Sequence, residues 1–138
     1  MKSLKSRGNS KVGLGIFSVP EARASLVRKD PKFLSCFTPH ELDYCLYKKR
    51  TAAQSLSARM AAKLAFWDAI NGGVPGCATR AKGGTCQGRL RDVQIESRMP
   101  GPPRLKIAAT FRRRLGISAR SHILVSLTHE KEFGMAVV

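Results

Sequence analysis

The clearest hydrophobic pattern in the chain lies in residues 51–70, which read TAAQSLSARMAAKLAFWDAI. Large apolar residues recur there at intervals of three or four, so they fall on one stripe of an α-helix. Asn71, Gly72 and Gly73 then form a typical helix stop. The pattern predicts a long helix with one buried stripe, made of Leu56, Met60, Leu64 and Trp67.

A capping signal at residues 38–41 predicts a second helix. The Thr38 side chain can accept a hydrogen bond from the first turn, Pro39 fits the first helical position, and Glu41 completes a capping box. This helix would continue through residues 40–49, HELDYCLYKK. Shorter helical segments are predicted at 21–29 and, as a helix or turn, at 110–116.

Strands are predicted where apolar and polar residues alternate, or where short apolar runs lie between turn residues. The segment MPGPP separates two such runs and predicts a hairpin. Helices and hairpins are interspersed without a regular strand–helix–strand alternation, so the pattern indicates an α+β fold. The predicted strands are 11–17, 92–97, 104–109, 122–130 and 133–138.

Length and charge narrow the possible partners. The 138 residues are enough for one domain with its own core, which we assign to 11–138 behind a flexible basic tail at 1–10. With 25 Lys and Arg against 9 Asp and Glu, the net charge of +16 attracts polyanions. Aromatic content of 7% and the lack of a known nucleic-acid motif make nucleic acid the weaker candidate.

No apolar run in the sequence reaches the 18 or so residues that a membrane-spanning helix needs. The basic start of the chain also lacks the apolar region of a signal peptide. We therefore expect a cytoplasmic protein that does not enter membranes.

Five segments of the chain, in this order, resemble those of the holo-acyl-carrier-protein synthases, the small trimeric 4′-phosphopantetheinyl transferases. They are GLGIF, FTPHELDYC, SLSARMAAKLAFWDAI, GPPRLKI and VSLTHE…AVV. The resemblance implies an α+β half-domain, with an antiparallel sheet packed against a long helix, and a homotrimer with active sites between subunits. It also implies Mg²⁺ and coenzyme A, whose phosphopantetheine arm is transferred to a serine of the acidic acyl carrier protein.

The resemblance fails at three positions where the family carries polar site residues. Phe17 stands at the position of a metal-binding aspartate, Leu64 at that of a metal-binding glutamate, and Leu124 at that of a nucleotide-site histidine. Apolar side chains cannot bind Mg²⁺ or accept a proton, so we expect no cofactor, no metal site and no phosphopantetheinyl transfer. Asp68 and Glu21 are the nearby acids that could replace the lost ligands, which leaves an active transferase as an alternative.

These substitutions predict an apolar site between subunits that binds or converts a hydrophobic acyl or polyketide-type molecule, for instance by cyclisation. A non-catalytic protein that binds the carrier protein is a further alternative, because each substituted residue, taken singly, also fits a core position. The predicted pocket residues are Phe17, Leu64, Trp67 and Leu124, and the catalytic candidates are Arg59, Asp68, Ser126 and Thr128. The resemblance assigns anion binding to Arg59, Lys63 and Ser126, and carrier-protein docking to Arg23 and Arg28.

Overall fold

The computed structural model describes residues 11–71, 90–97, 102–118 and 121–138. The N-terminal elements are strand β1 (Leu14–Ser18), helices α1 (Val19–Arg28), α2 (Pro31–Leu34) and α3 (Pro39–Tyr47), a 3₁₀ turn (Lys49–Thr51) and the long helix α4 (Ala52–Asn71). They are followed by β2 (Val93–Glu96), β3 (Arg104–Ile107), α5 (Ala109–Arg114), β4 (Ser126–His129) and β5 (Phe133–Val137).

The strands form two antiparallel sheets. The larger has the order β1-β5-β4, so the first and last strands of the chain are neighbours, and β2 pairs with β3 as a separate hairpin. Leu14 lies opposite Val137, and Ile16 lies opposite Met135. Helix α4 packs along the larger sheet. The predicted α+β fold, with an antiparallel sheet against a long helix, is confirmed.

Glycines allow the backbone of helix α4 to lie directly against the backbone of the larger sheet. A Cβ atom added at Gly15 would lie 1.9 Å from the carbonyl oxygen of Ala61, and one added at Gly13 would lie equally close to that of Ala65. A Cβ on Gly134 of β5 would come within 2.5 Å of the same helix backbone. Any side chain at these positions would push the helix away, which explains the glycine in β1 and the one directly before it.

Several local predictions are confirmed, and others differ in extent. The capping box of Thr38 and Glu41 forms as predicted. Strand β4 is shorter than expected, because residues 122–125 are not in a strand. Helix α4 buries more than one stripe: the alanines on its other side are also buried, since the sheet and the remaining elements enclose it.

Two predicted regions, the basic tail at 1–10 and the loop at 72–88, lie outside the described residues. Part of the turn at 99–103 does as well. Among the helices that the structure describes, none is both long and apolar enough to cross a membrane.

The close approach of strand and helix predicts a large difference between two Gly-to-Ala substitutions. Gly15→Ala should lower the free energy of unfolding by about 3 kcal/mol, because its Cβ meets helix backbone that cannot move aside. At Gly116 an added Cβ would meet open space, and the strain comes only from the φ of +74°. Gly116→Ala should therefore lower the free energy of unfolding by about 1 kcal/mol. Urea unfolding of both variants checks this, and equal losses would contradict it.

Candidate functional site

Lys63 lies in the core, where its ammonium group is fully satisfied. The side chain has 0% exposure, and Nζ donates to Glu41 Oε1 at 2.9 Å and to the Leu90 carbonyl at 2.9 Å. A third hydrogen bond goes to the carbonyl of Val93. Burial lowers the pKa of Lys63, while the neighbouring Glu41 carboxylate opposes that shift. With its donors used internally, this geometry favours a structural role for Lys63 over the predicted binding of an anion.

Glu41 connects three parts of the chain through its carboxylate. Oε1 accepts the Thr38 N–H at 2.9 Å as part of the capping box, and Oε2 accepts the N–H of Ile95 in β2 at 2.8 Å. Together with Lys63, this joins the start of α3, the middle of α4 and the hairpin. The capping motif is visible in the sequence, but the partners 22 and 54 residues away are not.

Arg59 belongs to a group of four residues that we call the cation–tyrosine cluster: Tyr44, Lys48, Arg59 and Ser97. The guanidinium carbon of Arg59 lies 4.7 Å from the centre of the Tyr44 ring, and Lys48 Nζ lies 4.6 Å from it. Arg59 also donates to Ser97 Oγ at 2.6 Å. Hydrogen bonding to Lys48 lowers the pKa of Tyr44.

Within the described ranges, Arg59 Nε is buried and has no hydrogen-bond partner. The cluster thus brings a buried cation, Arg59 at 3% exposure, together with an exposed one, Lys48, and two neighbouring cations attract an anion. Arg59 was a predicted anion-binding residue. Tyr44 and Lys48 were missed, although their spacing of four residues, from α3 to its C-cap, is the available sequence signal.

Ser126 and Thr128 lie on the open side of the larger sheet. Strand pairing puts Ser126 in a row with Val137 and Leu14, and Thr128 in a row with Met135 and Ile16. We call these six residues the outer sheet face. Its apolar members are 46–62% exposed. A groove of about 550 Å³ runs along this face, and Leu64 lines it together with the six residues. Two catalytic candidates and one predicted pocket residue therefore do come together.

The other predicted pocket residues lie elsewhere. Phe17 stacks on Phe33 with ring centres 5.9 Å apart. Trp67 is 4% exposed and makes edge contacts with Phe66 and Phe111 in the core. Leu124 is 80% exposed. No described groove is lined by all four predicted residues, so the geometry gives no support to the single apolar pocket.

The two candidate replacement acids lie near opposite ends of β1. Asp68 Oδ2 accepts the N–H of Leu14 at 3.0 Å, whereas the Glu21 N–H is bonded to the side chain of Ser18. Leu14 and Ser18, the residues that these two bonds reach, are separated by about 13 Å of strand. Phe17 offers no oxygen, and the described residues contain no group of three metal-ligating side chains. The residues present at these positions do not fit Mg²⁺.

Helix α1 presents the predicted docking residues to solvent. Arg23 and Arg28 are exposed, and between them Val27 is 78% exposed. Arg28 approaches Asp30 at 3.8 Å, a weak surface ion pair. The helix therefore combines positive charge with an uncovered apolar side chain, a combination that suits a protein partner with an acidic surface.

Comparison with known proteins gives consistent matches along nearly the whole chain, although no family model matches it. A Treponema denticola protein named holo-[acyl-carrier-protein] synthase is 35% identical over 128 residues, covering 92% of this chain and 95% of its own. The acyl carrier protein synthase of Mycobacterium tuberculosis is 29% identical with a TM-score of 0.62, covering 94% and 95%. The Helicobacter pylori synthase in complex with coenzyme A has a TM-score of 0.65 at 22% identity, covering 91% and 96%.

These comparisons contradict the expectation that the chain uses no cofactor. The similar proteins are carrier-protein synthases, and one of them is described with coenzyme A bound. The expectation was drawn from Phe17 and Leu64. Apolar residues at two metal positions carry no information about where a coenzyme's phosphates bind, which is the physical reason for the error.

The buried ion pair predicts an asymmetric pair of variants. Lys63→Met should lower the free energy of unfolding by about 3–5 kcal/mol, because it leaves the Glu41 carboxylate buried without its cation. The double variant Glu41→Gln/Lys63→Met should lose less, because it buries no charge. Lys32→Met, at an exposed lysine, is the control and should change the value by less than about 0.5 kcal/mol. Urea unfolding checks this; a double variant less stable than Lys63→Met would contradict it.

Proposed function

As the chain belongs to the holo-acyl-carrier-protein synthase family, we propose that it transfers 4′-phosphopantetheine from coenzyme A to a serine of acyl carrier protein. The observation that carries the proposal is the similarity to a named synthase over more than nine-tenths of both chains. The sequence alone had favoured conversion of a hydrophobic acyl molecule. The relatives give that hypothesis no support, and the alternative of an active transferase agrees with them better.

The cation–tyrosine cluster supports binding of the coenzyme's phosphates. Arg59 is held between the Tyr44 ring and Ser97, so its guanidinium is already oriented before an anion arrives. The ammonium of Lys48, an exposed lysine, can supply a charge-assisted hydrogen bond, the strongest type available to a phosphate, and Arg59, 3% exposed, contributes its positive charge from below. Of the predicted anion contacts, Arg59 would act through its charge beside Lys48, and Ser126 would act through its exposed hydroxyl.

The outer sheet face supports the reaction itself. Ser126 and Thr128 present neighbouring hydroxyl groups that can donate to a phosphate oxygen. In the proposed step the carrier serine oxygen bonds to phosphorus, the bond to the leaving nucleotide breaks, and the serine proton is released. Mg²⁺ in this family supplies charge neutralisation at the phosphates. Since Phe17 and Leu64 offer no oxygen to an ion, the cations and hydroxyls of this chain must contribute more of that stabilisation.

Helix α1 supports docking of the carrier protein. Arg23 and Arg28 give long-range attraction to an acidic partner, and Val27 gives a short-range apolar contact between them. Electrostatic complementarity of this kind raises the association rate and fixes orientation more than it raises affinity. We therefore propose that Arg23 and Arg28 orient the carrier serine toward the outer sheet face.

Assembly into a homotrimer is part of the proposal. Leu14, Ile16, Met135 and Val137 leave a continuous apolar surface on the sheet, 46–62% exposed at each residue. Surfaces of this kind on soluble proteins usually mark a contact with another protein. A second copy covering this face would also enclose Ser126 and Thr128, so the reaction site would lie between subunits.

A specific observation favours a second candidate function, a carrier-protein-binding protein without catalysis. Phe17 is stacked on Phe33 and Leu64 lies in an apolar groove, so neither position retains the acid that the resemblance assigns to it. Such a protein would keep the docking helix and the coenzyme contacts. Transfer activity separates the two candidates.

The proposed transfer predicts that the purified chain, with Mg²⁺ and coenzyme A, adds one phosphopantetheine arm to apo-acyl carrier protein. Intact-protein mass spectrometry measures the gain. Arg59→Met should raise the KM for coenzyme A about tenfold, because a positive charge beside the phosphate is lost. Arg113→Met, at an exposed arginine on α5, is the matched control and should leave the KM unchanged.

The Treponema denticola relative serves as the positive control on the same carrier protein. If the relative modifies the carrier and this chain does not, transfer is excluded. Retained binding of the carrier protein would then support the non-catalytic candidate.

The proposed homotrimer predicts that Ile16→Asp yields a monomer, because burying a carboxylate in an apolar contact is strongly unfavourable. Size-exclusion chromatography with light scattering measures the mass. Leu46→Asp changes a residue of similar exposure, 45% against 54%, on helix α3 and should remain trimeric. A monomeric wild-type chain would contradict the proposal.

A further inference from the structure

The hydroxyl group of Tyr44 lies among the cations of the cation–tyrosine cluster, and the proposed reaction gives it no part. Tyr44 lies on α3, four residues before Lys48 at the C-cap of that helix, and Arg59 reaches its ring from α4. Both cations lie within 4.7 Å of the ring centre. Arg59 also donates to Ser97 Oγ at 2.6 Å, so the residue after β2 joins the same group. One aromatic side chain therefore contacts the two cations that are proposed to attract a phosphate.

The charged and polar groups that face this hydroxyl favour its ionised form. Hydrogen bonding to Lys48 has the largest effect, and the Lys48 charge, hydrogen bonding to Ser97 and the Arg59 charge act in the same direction. Burial opposes them and is outweighed, so the pKa of Tyr44 is lowered from its ordinary value of 10.0. The hydroxyl thus lies at a point where a negative charge is stabilised.

The acidic side chains on the described parts of α3 and β2 are engaged elsewhere or face solvent. Glu96 in β2 accepts from Gln94 Nε2 at 3.0 Å. Glu41 is paired with Lys63 in the core, and Asp43 is exposed. The two cations of the cluster are therefore left for a negative charge from a ligand or from the phenol itself.

Ionisation of Tyr44 acts directly on the proposed phosphate contact. Lys48 is exposed and is the donor that the proposed function assigns to a phosphate. A neutral hydroxyl is a weak acceptor, so it leaves the Lys48 ammonium available to a charged one. A phenolate holds Lys48 by a charge-assisted hydrogen bond and cancels one of the two positive charges. The phenolate and a bound phosphate therefore compete for the same cations.

We infer that Tyr44 is a positioning residue for phosphate binding: its neutral hydroxyl leaves Lys48 to the phosphate, and its ionised form takes Lys48 away. The inference rests on the proposed function, which assigns the phosphate to coenzyme A. By linkage, a bound phosphate opposes loss of the Tyr44 proton as much as loss of that proton opposes binding. The affinity for coenzyme A is therefore full below the pKa of Tyr44 and falls as the pH rises through it.

The Tyr44 proton can be observed directly, because the chain contains two tyrosines, Tyr44 and Tyr47. In Tyr47→Phe, which changes an 87%-exposed residue, phenolate absorbance reports Tyr44 alone. The absorbance is followed against pH in inorganic pyrophosphate and in sodium chloride of the same ionic strength, because salt alone screens the cations. We expect pyrophosphate to raise the midpoint by about one pH unit, which corresponds to about tenfold weaker binding to the ionised form. An unmoved midpoint overturns the inference.

A second lysine variant shows whether pyrophosphate acts through the cluster. Adding Lys48→Met to Tyr47→Phe should abolish most of the shift in the midpoint, because the contested ammonium is gone. Adding Lys32→Met, at an exposed lysine on α2, is the matched control and should leave the shift unchanged. A full shift without Lys48 would mean that pyrophosphate binds elsewhere, and would overturn the inference.

Steady-state transfer tests the same point in the reaction. Tyr44→Phe keeps the ring beside Arg59, so it should match the wild-type KM for coenzyme A at neutral pH. Once the wild-type hydroxyl is ionised, Tyr44→Phe should have a KM about tenfold lower than wild type, with kcat unchanged. Tyr44→Leu removes the ring and should raise the KM at every pH, and Tyr47→Phe should follow wild type. Identical pH profiles for Tyr44→Phe and wild type would leave Tyr44 a structural role only and overturn the inference.

The two assays separate this inference from the proposed function. Transfer activity together with an unmoved absorbance midpoint would overturn the inference and leave the transferase in place. A midpoint raised by pyrophosphate in a chain that transfers nothing would support the competition at Tyr44 and count against the transfer.

Discussion

The contact between two glycine-bearing strands and the backbone of helix α4 determines the rest of the architecture. Gly13, Gly15 and Gly134 leave no room for a side chain between sheet and helix. The facing residues of the helix are correspondingly small, with Ala61 and Ala65 fully buried. Alternation along the strands puts the neighbours of these glycines, Leu14, Ile16 and Met135, on the opposite face of the sheet, where they are exposed.

The buried pair of Lys63 and Glu41 sets how the hairpin lies on helix α4. Val93 and Ile95 of β2 are fully buried in the core, and the Lys63 bond to the Val93 carbonyl and the Ile95 N–H bond to Glu41 fix their position along the helix. Two residues further along, Ser97 reaches Arg59. The ion pair therefore also sets the geometry of the cation–tyrosine cluster, although neither of its members is available to a ligand.

Local signals predicted much of the fold, and distance along the chain limited the rest. The capping box and the long helix need only neighbouring residues, and the resemblance of five segments supplied their arrangement. The partners of Glu41 and the second cation on Tyr44 come from tertiary contacts that no short motif encodes. Trp67 illustrates the same limit: helical spacing put it on one stripe with Leu64, yet it contacts Phe111 in the core while Leu64 reaches a groove.

Phe17 and Leu64 show why a substituted site is weak evidence about a whole function. A metal site depends on a few oxygen atoms and is abolished by two substitutions, whereas coenzyme and carrier binding are distributed over many contacts. In this chain, Phe17 stacks on Phe33 at the position where the resemblance puts an aspartate, and a carboxylate packed there without an ion would have been costly. The surfaces proposed to bind anions and proteins are helix α1, the cation–tyrosine cluster and the outer sheet face, and Phe17 belongs to none of them. The Phe17 substitution therefore bears on how a phosphate can be activated, and it changes none of the residues proposed to recognise the coenzyme and the carrier protein.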